Sequence, residues 1–291
     1  MREEVGRMPA GAGMLGLVAM FAGTAAEPSP CLACHPPEEP AIAALLASPH
    51  GGLREAGCVD CHGASVAHRR RPGEPPERIF AGQEPAAARN TPCLGCHRAE
   101  ALHWETGGHG RAELACVDCH RVHRDPFPPP EAWRRVEDCL GCHPALRAAT
   151  LKPFNHPLGE GEFDCGACHD PHGSLAARAG LREASENETC YRCHADLRGP
   201  FLWEHRPVRE RCGDCHAPHG SVHPGMLEAR APFLCQLCHL AQFHPSALHA
   251  GAGLPGATRP SGSAFLLGPN CMSCHPAVHG SNHPSGARLT R

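Results

Sequence analysis

At 291 residues the chain has room for one or two ordinary domains, but its composition excludes an ordinary apolar core. Aromatic side chains are 4% of it, and 32 glycines with 31 prolines break every long periodic apolar run. The formal charge of -3, with no basic tract beyond "HRRR" at 68–71, indicates no nucleic-acid partner, and without a cofactor most of such a chain is expected to be disordered.

Residues 1–26 read as a secretory signal peptide. Arg2 and Arg7 give the charged start, "GAGMLGLVAMFAG" the apolar stretch, and "GTAA" the small residues before a cut near Ala26. The stretch is shorter than the roughly 20 apolar residues of a membrane span. Cleavage is therefore expected, leaving 27–291 as the mature domain, and because Cys31 follows no lipobox a lipoprotein is not expected.

The first cysteine opens "CLACH". Cys-x-x-Cys-His is the attachment signature of c-type haem. Two thiols add across the two vinyl groups on one porphyrin edge, and the histidine turns back beneath the ring to ligate iron. The cysteine pairs are Cys31 and Cys34, Cys58 and Cys61, Cys93 and Cys96, Cys116 and Cys119, Cys139 and Cys142, Cys165 and Cys168, Cys190 and Cys193, Cys212 and Cys215, Cys235 and Cys238, and Cys271 and Cys274. The histidines that follow are His35, His62, His97, His120, His143, His169, His194, His216, His239 and His275. The ten motifs consume all 20 cysteines. Zinc sites and disulfides share the pair spacing, but neither demands a histidine after every second cysteine. Ten covalently attached haems c are expected, supplying the core that the side chains lack. Export fits, because this haem is attached outside the cytoplasm.

Successive motifs recur at intervals of about 25 residues, the mark of a linear array. Odd-numbered motifs carry a second histidine some distance downstream: His50, His109, His156, His205 and His244. Even-numbered motifs carry one within a few residues: His68, His123, His172, His219 and His279. Five two-haem repeats result. A histidine three residues beyond the motif, on a tether of about 10 Å, is expected to cap a different haem from its own. Of 24 histidines, ten are proximal and 14 remain for ten distal positions, so bis-histidine ligation throughout is the economical assignment. His103, His223, His249 and His283 form the surplus, with His279 against His283 the closest choice.

Short helices are expected at 40–48 and 130–143 and as a turn or two at each motif, with plain loops over 71–92 and 250–270. The fold class predicted is a multihaem cytochrome c: an elongated haem array wrapped by loops and short α-helices, with little or no β-sheet.

The stretch "NETCYRCHADLRGPFLWEHRPVRERCGDCHAPHGS", with "GMLEARAPFLCQLCH" and the closing "CHPAVHGSNHPSG", resembles the periplasmic decahaem cytochromes of the MtrA/PioA/DmsE family. That resemblance implies a haem wire inserted into an outer-membrane β-barrel partner. It would carry electrons between periplasmic carriers and extracellular metal, iron or surface redox proteins, and touch the membrane through the barrel only. A soluble periplasmic shuttle is the alternative. A multihaem reductase is a weaker one, since no motif visibly leaves an iron open.

Overall fold

The computed structural model describes residues 29–53, 57–82, 84–124, 132–160, 162–173, 180–239, 271–284 and 286–289. The expected signal and the expected loop over 250–270 lie outside them. Among the described residues there is no β-strand, only four isolated antiparallel bridges: Phe154–Ser221, His169–Leu181, Trp203–Ser281 and His216–Leu227. Short helices and loops make up the rest, as the sequence predicts.

The helix Pro40–Ala47 begins with proline, whose fixed φ suits the first turn and whose missing N–H has no partner there anyway. It stops at Ser48, whose hydroxyl donates to the Leu45 carbonyl at 2.6 Å and accepts the His50 N–H at 3.2 Å. The cap of one element thus starts the turn Pro49–Gly52 that carries His50. The second expected helix is Ala132–Cys142. The region read as a plain loop over 71–92 is corrected: a helix, Ala86–Leu94, begins inside it. Three successive alanines behind Pro85 favour that helix, and it runs on into the third motif. Val66–Arg70, Arg98–Trp104, Pro144–Thr150 and Arg206–Glu210 are helices too short to show a period in the sequence.

Buried apolar residues among those described are few: Leu45, Ala115, Val136, Leu140 and Ala231. Polypeptide alone does not close this fold. Its longest-reaching described links are local to successive doublets. Phe154 and Ser221 exchange backbone hydrogen bonds at 3.1 and 2.8 Å, and Trp203 and Ser281 do so at 2.9 Å each way. Each doublet is tied to the next, as in a solenoid. No helix among the described residues is long and apolar enough to cross a membrane.

Candidate haem-binding sites

Each motif is one tight turn. In nine of the ten, the N–H of the motif histidine bonds the carbonyl of the first cysteine at 2.8–3.0 Å, and Cys58–His62 is a helix throughout. Residues four apart on such a turn share a face, so the first thiol and the imidazole address the same side.

The motifs then meet edge to edge. The first cysteines of every doublet share a thiol hydrogen bond: Cys31 with Cys58, Cys93 with Cys116, Cys139 with Cys165, Cys190 with Cys212 and Cys235 with Cys271. Burial, then the neighbouring thiol, pushes Cys93 and Cys235 up to about 11. Between doublets the second cysteine of each even motif lies near the next odd one, Cys61 by Cys93, Cys119 by Cys139, Cys168 by Cys190 and Cys215 by Cys238. The ten attachment turns form one unbroken file.

The imidazoles are arranged in facing pairs, each uniting a motif histidine with a predicted distal one. His35 faces His68 at 6.2 Å between ring centroids, and His62 faces His123 at 6.1 Å. His97 faces His50 at 6.0 Å, His120 faces His172 at 5.8 Å, and His143 faces His109 at 6.1 Å. His169 faces His219 at 6.0 Å and His194 faces His156 at 6.4 Å. His216 faces His279 and His239 faces His205, each at 6.0 Å. Two imidazoles that each hold one metal at about 2 Å put their centroids roughly 6 Å apart once the ring radii are added. The residues therefore fit an iron between each pair. Of the surplus histidines, His103, His223 and His283 belong to none of these pairs. His279, not His283, stands opposite His216, and the His283 carbonyl accepts the Trp203 indole N–H at 3.0 Å. The carbonyl of His103 accepts the Gly107 N–H at 2.8 Å, and His223 gives its N–H to Ser221 Oγ at 3.0 Å. His244 and His249 lie outside the described residues.

The pairing has a rule that offsets alone did not reveal. A distal histidine behind an even motif serves the even motif before it, and one behind an odd motif serves the odd motif after it. Each middle doublet hands one ring backward and one forward. His68, at the first end, stays within its own doublet.

Outer hydrogen bonds fix the rings. Nδ1 of His62, His216 and His275 bonds the carbonyls of Arg78 at 2.9 Å, Gly225 at 2.8 Å and Arg288 at 2.6 Å. These carbonyls belong to return straps that fold back onto their own motif, as Glu228 N–H to Cys215 and Ala277 N–H to Leu289 show at 2.8 and 3.1 Å. A carbonyl only accepts, so Nδ1 carries the proton and Nε2 keeps its lone pair for a metal. Burial lowers the pKa of His123, His205, His219 and His279, and the facing imidazoles add to it. Both effects favour the neutral imidazole, the form that ligates a metal.

The chain matches two family models: the doubled Cys-x-x-Cys-His motif over residues 155–199 and 205–243, and cytochrome c-type protein NrfB-like over 58–142. It is 41% identical over 272 residues to multihaem cytochrome MtrA of Shewanella baltica, spanning 90% of this chain and 80% of that protein. The chain belongs to the MtrA family of multihaem c-type cytochromes. Members carry covalently bound haem c and transfer electrons.

In this MtrA-family cytochrome two asparagines, unremarked in the sequence, lock the doublets. Asn90 and Asn187 each stand three residues before an odd motif and are 2% and 8% exposed. Asn90 Oδ1 accepts the Cys116 N–H at 2.7 Å, and Asn187 Oδ1 accepts the Cys212 N–H at 2.8 Å. Asn187 Nδ2 donates to the Val208 carbonyl at 2.8 Å, so one side chain joins two motifs and the segment between them. Asn187→Ala leaves a buried N–H and a carbonyl without partners, at a cost of about 1–3 kcal/mol. The haem-loaded variant will unfold at lower guanidinium concentration, with its haem count unchanged by mass spectrometry. An unshifted midpoint refutes the lock.

Proposed function

We propose that the mature chain, residues 27–291 after removal of the signal, holds ten haems c, each ligated by two imidazoles, and passes electrons along them across the outer membrane inside a β-barrel partner. The observation that carries this reading is the set of nine facing imidazole pairs strung along one file of attachment turns. The tenth motif histidine, His275, is assigned to His244, the distal candidate that the sequence pattern places behind the ninth motif. Haem supplies the one-electron ferric–ferrous couple, whose potential is set by axial ligands, outer hydrogen bonds and burial. The chain's residues hold that couple in place. The cysteines fix spacing, the carbonyls of the return straps orient the rings, and paired imidazoles leave no iron position for substrate. The last point favours a carrier over a reductase. The similarity to a multihaem cytochrome MtrA agrees with the family resemblance, which implies a periplasmic setting with a barrel and electron donors or acceptors on either side.

Two measurements test this. Fully oxidised protein will show low-spin iron only, and the reduced protein will bind no carbon monoxide. One open haem in ten would restore the reductase reading. In liposomes carrying the barrel complex, an external reductant will reduce an enclosed dye, and the barrel alone will not. Failure of that transfer with all haems present leaves the periplasmic shuttle.

A further inference from the structure

Four boundaries separate the five doublets, and at each the distal ligands of the two flanking irons come from loops that lie side by side. At the boundary between motifs 6 and 7 these loops carry His219, facing His169, and His156, facing His194. His156 Nδ1 donates to the carbonyl of Pro218 at 2.8 Å, and Pro218 is the residue directly before His219. On the other side of His219 comes Gly220, at φ +130, whose added Cβ would lie 2.1 Å from the Ala149 carbonyl oxygen. Next comes Ser221, bridged to Phe154.

The same device recurs. Between motifs 4 and 5, His109 Nδ1 donates to Pro171, just before His172, at 2.9 Å. Gly173 follows at φ +104, where a Cβ would meet the His103 carbonyl oxygen at 2.4 Å. Between motifs 8 and 9, the His205 ring bonds the Val278 backbone, just before His279, and Gly280 follows at φ +133 against the Phe201 ring. The boundary between motifs 2 and 3 departs from it. His123 is followed by Arg124 in place of glycine, and its own ring bonds the Ala41 backbone.

We infer that at three of the four doublet boundaries the distal ligands of two neighbouring irons are held as one unit, with Gly173, Gly220 and Gly280 as its positioning residues. One peptide carries a ligand for one iron while its carbonyl sets the tautomer, basicity and aim of the ligand at the next. The glycine is required because a side chain is disfavoured at that φ and would strike the partner loop. Displacing the loop therefore uncaps two irons in different doublets, although it bears one ligand. This rests on the bis-imidazole reading above.

Carbon monoxide binding to the reduced, ten-haem protein, with high-spin ferric iron counted by electron paramagnetic resonance on the oxidised sample, tests it. His156→Ala and His219→Ala will each open one haem per molecule; if neither opens any, the bis-imidazole reading itself fails. Gly220→Ala will open two. Gly82→Ala is the control, because Gly82 has φ +136 but nothing within 4 Å of an added Cβ, and it will open none. Gly280→Ala is the milder companion, its new methyl meeting a phenyl side chain where Gly220→Ala meets backbone, and it will also open two. One open haem or none in both Gly220→Ala and Gly280→Ala, with the alanine ligand variants behaving as stated, overturns the inference.

Discussion

Produced where haem cannot be attached, the mature chain will give the far-UV spectrum of a disordered polypeptide, and attachment will convert it to a compact, partly helical one. The reason lies in what the fold buries. Leu45, Ala115, Val136, Leu140 and Ala231 are small or isolated, and among the described residues no large side chain is fully enclosed. Such a set cannot offset the conformational entropy of ordering loops this rich in glycine and proline. The helices are of no help alone, since segments of four to eleven residues are below the length at which isolated helices persist in water. Each ring pair also spans two segments far apart in sequence, as His156 with His194 and His216 with His279 do. A metal between them would cross-link those segments where the polypeptide offers only scattered hydrogen bonds. Folding should therefore be linked to cofactor as it is in small metal-dependent domains. Circular dichroism with size-exclusion chromatography on the unloaded chain, thiols blocked, makes the test. A cooperative thermal transition in that sample would refute it.

What the sequence made legible follows from the same chemistry. A thioether-linked macrocycle leaves a rigid local word, so all ten attachment turns, and the distal candidates close behind the even motifs, could be read residue by residue. Who faces whom could not. His219 sits three residues beyond His216 yet faces His169, and no spacing encodes that exchange; it is a property of how successive doublets dock. His279 and His283 share the phrase "HGSNHP", and only the turn at Gly280 separates the ring that faces His216 from the one whose carbonyl caps Trp203. Asn90 and Asn187 were invisible for another reason. One asparagine before a motif is ordinary until its burial and both of its hydrogen-bonded partners are known. The shared offset of three residues in "NTPC" and "NETC" was the available signal.

Exchanging His219 for methionine will raise the potential of one mid-array iron and throttle electron flow through the whole protein. His219 faces His169, and a thioether in its place favours the ferrous state more than imidazole does. The change is confined, because the Pro218 carbonyl that holds His156 belongs to the preceding residue and stays where it is. A redox titration will then resolve one haem in ten, displaced upward from the rest. For a one-electron couple each 59 mV is about a factor of ten in equilibrium constant. An upward shift of about 0.12 V therefore slows the uphill step out of that haem about a hundredfold. In a series array every electron must take that step, so the flux from outside a liposome to an enclosed acceptor falls by the same factor. In a shuttle, carriers reach several haems directly, and one deep haem fills once and is bypassed. The two readings separate on this variant: a displaced potential with undiminished flux contradicts conduction in series, and a displaced potential with flux reduced in proportion requires it.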